Sequence, residues 1–324
     1  MTRLCAALIG FLCLTATAGI SQAQTYPAKT ITLVVPVVPG GVNDLTARLL
    51  AKQLSESWKI QVIVENKPGA TNRLAAEYVA RATPDGYTLF VSAESTFVIH
   101  PTLFSKLPYD PSKDFIPITG LIGINQALVA TPSLPVKNVK DLIDLAKTKP
   151  GALNYGTFGP GSTGHLNMAM FETMTGVKLT PVHYQGATPA FTDVMAGHIQ
   201  AMFISLGTGA GPAQAGKVKL LGIGGNKRVP QFSDVPTIAE SGVPGFEAVS
   251  WFGLFAPAKT PPQIITKLNA EAQRIFNDPE FRKASLDRLF FQPMTSSPQD
   301  FAAFIQKDAQ KWATVIRAAN VKID

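Results

Sequence analysis

The chain has 324 residues, 46% hydrophobic and 16% charged, and a formal net charge of +7 from 29 Lys+Arg against 22 Asp+Glu. This composition excludes a disordered or fibrous chain. The basic residues are scattered, with no polybasic run interleaved with aromatics, which argues against a nucleic-acid partner, while mild positive charge suits an anionic solute without locating a site.

The N-terminus sets the compartment. Arg3 precedes an uncharged apolar stretch from Leu4 to Ile20, and Ser21-Gln22-Ala23 places small residues where a signal peptidase reads. Residues 1–23 are therefore expected to be a cleavable secretory signal peptide, too short for a transmembrane anchor, and the mature protein is expected in the periplasm. Both cysteines, Cys5 and Cys13, fall inside that segment. The mature chain then has no disulfide and no thiolate metal ligand, and its length suffices to bury a core without them. About 300 residues remain, enough for roughly two domains.

Short β-branched runs alternate with amphipathic stretches, the pattern of α/β domains with mainly parallel sheets flanked by helices. The first strand is Ile31 to Val35, followed by Pro39-Gly40-Gly41 and a helix from about Asn43 to Ser57. Strands follow at Val62 to Val64, Thr88 to Val91 and Ile116 to Ile122, with a helix from about Asn72. Asn125 to Thr131 reads as a separate strand carrying the chain into a second unit. There, strands over 153–157, 181–184, 200–204 and 218–223 alternate with helices over 138–148, 164–175 and 188–197. Val249 to Ala256 reads as the return crossing, and the tail as helices over 262–277, 279–288 and 298–319.

Gly159-Pro160-Gly161-Ser162-Thr163-Gly164 formally matches the dinucleotide-binding G-x-G-x-x-G. That chemistry needs an acidic residue near the tip of the next strand to hold a ribose hydroxyl. The next strand ends at His183-Tyr184-Gln185, so no nicotinamide cofactor is expected, nor any other. What survives is the geometry beneath the motif. A glycine-lined turn lets the backbone N–H groups of a helix N-terminus approach an anion, and the helix dipole favours the charge.

Pro39-Gly40-Gly41-Val42-Asn43-Asp44 repeats this strand–glycine–helix arrangement in the first unit, with Asn43 or Asp44 as a candidate N-cap. Two such termini facing each other would clamp a carboxylate without a lysine. Each contributes about 0.3–2 kcal/mol, whereas micromolar binding needs about 8 kcal/mol. Side-chain contacts and closure must supply the rest. Ser162, Thr163, Thr188 and Ser205 sit at turns where hydroxyls would point inward; any of them could equally cap its own helix.

Signs of catalysis and of a metal site are lacking. His100, His165, His183 and His198 form no zinc-binding spacing, and Pro160, two residues before Ser162, breaks the G-x-S-x-G hydrolase elbow. His165 is expected to cap or pack at a helix start, and His183 and His198 to be structural.

These turns, in this order, carry a resemblance. The stretches are Val34-Val35-Pro36 through Pro39-Gly40-Gly41, Val64-Glu65-Asn66-Lys67-Pro68-Gly69-Ala70 and Pro84-Asp85-Gly86-Tyr87-Thr88-Leu89. Leu107-Pro108-Tyr109-Asp110-Pro111 through Asp114-Phe115, Gly159 to His165, Tyr184-Gln185-Gly186 through Pro189-Ala190, and Asp234-Val235-Pro236-Thr237 through Glu240-Ser241-Gly242 continue the match. From Tyr26 to Asp324 the chain resembles the Bug family, the periplasmic substrate-binding proteins of tripartite tricarboxylate transporters.

The resemblance implies a two-domain periplasmic-binding-protein (Venus flytrap) fold with two crossover strands. Domain 1 would be discontinuous, 24–124 and 246–324, and domain 2 would span 125–245, with hinges near 121–128 and 226–250. It implies a monomeric receptor and not an enzyme, which passes a small carboxylate to the membrane subunits of its transporter. The loops around Gly40 and Ala187 would grip one carboxylate through backbone groups and ordered waters. The residues expected at the ligand are Val37, Val38, Gly40, Gly41, Asn43, Arg73, Ser92, Ser95, Phe158, Gly161, Ser162, Thr163, Gly186, Ala187, Thr188 and Ser205.

Several positions depart from the family pattern. Val37 stands where Phe is frequent, Thr71-Asn72-Arg73 replaces a Gly-Gly-Asn-like turn, Ile204-Ser205 replaces Asp-Asn, and Glu94 stands where Ser is frequent. Arg73 could pair with a distal carboxylate or be a solvated helix-start arginine. The loss of the Asp-Asn carboxylate argues against an ammonium-bearing ligand. Together these favour a dicarboxylate with an apolar body, aromatic such as terephthalate or aliphatic such as adipate. The rival readings are a periplasmic enzyme acting on a small organic acid and a sensory receptor for a membrane kinase.

Overall fold

The computed structural model describes residues 26–321; the expected signal peptide, with both cysteines, lies outside the described residues. β1 (Ile31–Val35), α1 (Val42–Trp58), β2 (Val62–Asn66), α2 (Arg73–Ala80) and β3 (Thr88–Ala93) open the chain. A π-helical turn (Ser95–Ile99) and α3 (His100–Leu103) lead into β4 (Phe115–Ala130). Then come α4 (Val139–Thr148), β5 (Asn154–Thr157), α5 (Thr163–Thr175), β6 (Thr180–His183), α6 (Ala187–Ala196), β7 (Ala201–Ser205), α7 (Leu206–Gln214) and β8 (Lys219–Ile223). β9 (Val249–Pro257), α8 (Pro262–Asn277), the single turn α9 (Pro279–Phe281), β10 (Phe291–Pro293) and α10 (Pro298–Ala318) complete it.

The π-helical turn, α3 and β10 have no counterpart in the sequence reading, and three further stretches differ from it. The expected strands at 116–122 and 125–131 are one strand, β4, of 16 residues. Gly120 and Gly123 of this strand are sites of close approach: a Cβ on either would come within 2.6 Å of Met294. The stretch after β7 forms α7 despite Gly207, Gly209, Gly211 and Pro212, because Leu206 and Ala210 are buried against the sheet and packing overrides weak propensity. Residues 279–289 are not one helix but a turn of α-helix, a π-helical turn and a 3-10 turn.

The strands form two sheets that share β4. In the first, β2, β1, β3, β9 and β4 are neighbours in that order, with β10 on the far side of β4; in the second, β4, β7, β5 and β6 follow one another, with β8 also on β4. The first three strands of each unit are mutually parallel. Antiparallel pairs arise where β4 and β9 carry the chain between the units and where β8 and β10 flank β4.

Both faces of each sheet are covered, so the strands read as continuous apolar runs. Leu50 and Leu54 of α1 and Leu268 and Phe276 of α8 pack on one face of the first sheet. Phe97, Trp251, Phe255, Phe301 and Trp312 cover the other, in a cluster continuous with Phe171 of α5. Helix α10 thus packs against residues 95–103, β4 and α5 together.

Register decides where the strand ends point. β3 is antiparallel to β9 and β9 to β4, so β3 runs the same way as the first stretch of β4 and ends level with Ile122. β7 is antiparallel to the second stretch of β4 and ends level with Gln126. The remaining parallel strands follow β3 and β7. The C-terminal ends of all six therefore converge on residues 122–126, from two different sheets. There three chain segments are tied together: Gln126 N donates to Ala248 O (3.0 Å), Gly224 N to Gln126 O (2.7 Å) and Ala248 N to Gly224 O (2.8 Å).

Candidate functional site

The helices that follow these strands start where the strand ends converge. Helix α1 is capped by the backbone of Gly41 alone, with no side-chain hydrogen bond. The expected caps, Asn43 and Asp44, lie inside its first turn. Asp44 instead holds the turn from within: its Oδ2 accepts from Gly40 N (3.0 Å) and Arg48 Nε (2.8 Å), and its Oδ1 from Asn66 Nδ2 (2.9 Å). Those bonds, the Arg48 contact first, pull its carboxyl down to about 2. Asn66 Nδ2 also donates to Val37 O at 2.9 Å. The 37–41 loop is thereby fixed while the N-terminal amides of α1 keep no side-chain cap. Gly40 has φ +92°, with open space where a Cβ would be. Val38 is 61% exposed beside it, and the Oδ1 of buried Asn43 has no partner.

In the second unit, α6 begins at Gly186, also without a side-chain cap. Gly186 has φ +120° and ψ 170°, a region essentially closed to other residues, and again nothing lies where a Cβ would be. Tyr184 Oη donates to Asp193 Oδ2 (2.5 Å), tying the loop before Gly186 to its own helix. Ala187 is half-buried, and Thr188 is exposed.

The β5–α5 turn is built differently. Ser162 Oγ accepts from His165 N (3.4 Å), so this hydroxyl caps its own helix, one of the two roles open to it from the sequence. His165 Nδ1 accepts from Gly161 N (3.0 Å), and Thr157 Oγ1 bridges His183 Nδ1 (2.7 Å) and Gly159 N (3.2 Å). Burial, with His183 beside it, pushes the His165 imidazole down to about 4, so it stays a neutral acceptor. The third glycine of the motif serves packing: a Cβ on Gly164 would sit 2.5 Å from Phe158 Cε1. Thr163 is the first residue of α5 and half-buried.

The other expected residues divide. Val37 packs beside Gly41, and Ser205 is the N-cap residue of α7, its Oγ 2.8 Å from Thr208 Oγ1. Ser95 is half-buried just past β3, but Ser92 is fully buried against Thr96 Oγ1 (2.9 Å). Arg73 is engaged elsewhere: its Nε donates to Ala70 O (2.9 Å) and its guanidinium lies 4.3 Å from the Phe104 ring centroid. Ile204, whose neighbourhood bore on ligand choice, is a core residue among α6 and α7. Sequence reasoning gave no place to Gln126 and Ser250, whose side chains meet at 3.2 Å beside the crossing; only strand register brings them together.

A cavity of about 720 Å³ lies beside the crossing, lined by Asn125, Val249, residues 226–231 and the 282–294 segment, and by none of the expected ligand residues. Among the described residues no group of His, Cys, Asp and Glu could hold a metal ion, and no helix is long and apolar enough to cross a membrane.

Two α/β units joined by crossing strands, with uncapped helix N-termini of each directed at the crossing, define a solute-binding receptor of the periplasmic type. The family model for the tripartite tricarboxylate transporter family receptor (TctC) matches residues 46–321, and the chain belongs to this family. It is a family of solute-binding receptors, not of enzymes. Protein BugT of Bordetella pertussis is 32% identical over 330 residues, covering 100% of this chain and 99% of BugT. Among solved structures, R. palustris Rpa4515 with adipate is 35% identical with a TM-score of 0.80, over 92% of this chain and 100% of that one. MatC (Rpa3494) from Rhodopseudomonas palustris with bound malate is 33% identical with a TM-score of 0.73, over 90% and 100% of the two chains.

Proposed function

We propose that this chain, exported by residues 1–23, captures a small dicarboxylate in the periplasm and delivers it to the membrane subunits of a tripartite tricarboxylate transporter. In this reading the lobes are residues 24–124 with 246–324, and residues 125–245, and they close on the ligand by rotation about the crossing. The observation that carries it is the pair of helices α1 and α6, each without a side-chain cap, starting from different sheets at strand ends that face one crossing. Their free N–H groups complement a carboxylate by hydrogen bonding and by dipole. The adipate and malate carried by two solved relatives support an aliphatic diacid. Val37 supplies an apolar wall beside Gly41, which favours a ligand with an apolar body, adipate or terephthalate, over a hydroxylated one.

A thermal-shift and calorimetric panel of malate, adipate, terephthalate, glutamate and citrate tests this. A diacid at a hundred times its Kd stabilises the native state by about 2.7 kcal/mol. Binding of glutamate, which carries an ammonium group, with no response to malate, adipate or terephthalate would refute the ligand class. Recovery of chemically altered acid would refute the receptor.

A further inference from the structure

Glu94 follows β3 directly, and its side chain is 2% exposed. The Ser250 hydroxyl and the Trp251 N–H, both at the start of β9, donate to it. Ser250 Oγ accepts in turn from Gln126 Nε2 (3.2 Å), on the residue where β4 passes into the second sheet. Trp251 Nε1 donates to Asp308 Oδ2 (2.8 Å) on α10, and Lys311 Nζ lies 2.6 Å from the other oxygen of Asp308. One carboxyl group thus touches one crossing strand, β9, reaches the other, β4, through Ser250, and lies close to the helix that packs across both units. Its Oε2 has no partner.

Asp308, itself paired with Lys311, is the charged group acting on Glu94. Ser250 and Trp251 of β9, Gln126 of β4, and Ser95 and Thr96 of the turn after β3 carry no charge. Burial, with Asp308 adding to it, pushes the carboxyl up to about 7, where a proton comes and goes near neutral pH.

We propose that Glu94 is a proton-operated brace at the crossing, which holds the two units in the relation described here when protonated and releases them when ionised. An ionised Oε2 in this dry setting has no donor, and burying an unpaired charge is costly. The relief is movement that admits water, and the groups that must move are Ser250 and Gln126, on the strands about which the units rotate. The proton and the solute are then linked through one conformational equilibrium. The rotation invoked belongs to the receptor reading; the brace is tested without ligand.

Both native cysteines precede residue 24, so spin labels at Lys52→Cys in the first unit and Lys178→Cys in the second report one distance in the mature chain. By pulsed electron resonance, the ligand-free protein is expected to change its distance distribution between pH 5.5 and 8.5, with Glu94→Gln keeping the acid-form distance at both. Asp308→Asn, which removes the repelling charge, should lower the midpoint by about half a pH unit or more. An unchanged distance in the parent protein, or a Glu94→Gln variant that still switches, overturns the brace. Adipate and terephthalate added at pH 8.5, where the brace is released, read the receptor separately: absence of both binding and closure with either acid there would overturn the receptor reading while leaving the pH result intact.

Discussion

Asn66 Nδ2 lies 2.9 Å from Asp44 Oδ1, so the last residue of β2 holds the first turn of α1. The same amide nitrogen reaches Val37 O at 2.9 Å, and Asp44 Oδ2 takes the Gly40 N–H. Buried Asp44 and half-buried Asn66 thus fix a loop while the helix amides keep no side-chain cap. A side-chain cap on α1 would stabilise the helix but occupy those donors.

Replacing Asp44 by Ala leaves the Asn66 amide and the Gly40 N–H without their acceptor and should cost about 2–3 kcal/mol in urea unfolding at pH 7. The carboxyl is held below its ordinary value, so its contribution is complete above pH 4 and is lost as pH falls toward about 2. Parent and variant should therefore converge in stability at the acid end. A constant gap from pH 7 to pH 2 would show that the charge plays no part.

Gly186 should tolerate no side chain. The cost of Gly186→Ala is expected at about 1–3 kcal/mol from its φ and ψ alone, since no neighbour stands in the way. The distorted loop should also weaken ligand binding about tenfold or more. Gly176 caps α5 in the milder left-handed region, at φ +71° and ψ 11°. Gly176→Ala is therefore expected to cost about 1 kcal/mol and leave affinity unchanged. Calorimetry on the pair separates strain at the site from strain in general.

His165 links pH to folding in the opposite sense to Glu94. Its imidazole is held neutral down to about 4, so the unfolded chain binds the extra proton first and stability falls as pH drops from about 6.5 toward 4. His165→Asn, which keeps an acceptor for Gly161 N, should flatten that part of the pH profile while retaining the turn. His165→Ala should flatten it and cost about 1–2 kcal/mol at pH 7. An unaltered acid slope in both variants would assign it to other groups, His100 among them, which burial also pushes down to about 4.

Gly164→Ala tests what the glycine motif is for. A methyl group there meets the Phe158 ring, which must turn away at a cost of about 1–3 kcal/mol. The variant should melt lower, and added NAD should raise neither its melting temperature nor that of the parent. A nucleotide-induced shift in the parent would restore the dinucleotide reading.

Much of the architecture was legible because it rests on short-range patterns. β-branched runs with buried faces, such as Ile31 to Val35, and glycine turns before amphipathic helices located most elements. Where the reading slipped, a contact distant in sequence was responsible. The single strand β4 was read as two because nothing local announces its continuous pairing with β9. Helix α7 was missed because its glycines and Pro212 argue against a helix that packing nevertheless enforces. The contact of Arg73 with Phe104 was hidden for the same reason: the ring lies thirty-one positions away.

The sequence by itself determined the α/β class, the resemblance to carboxylate receptors and the two glycine-lined helix starts, because φ preferences and hydrophobic period act over a few residues. Only the tertiary structure decided that those starts face one crossing, that Asp44 is a staple and not a cap, and that Glu94 is buried beside both crossing strands. Each of these depends on strand register and on the desolvation that burial brings, and both are set by pairings between elements, from 22 residues apart for Asp44 and Asn66 to 124 for Gln126 and Ser250.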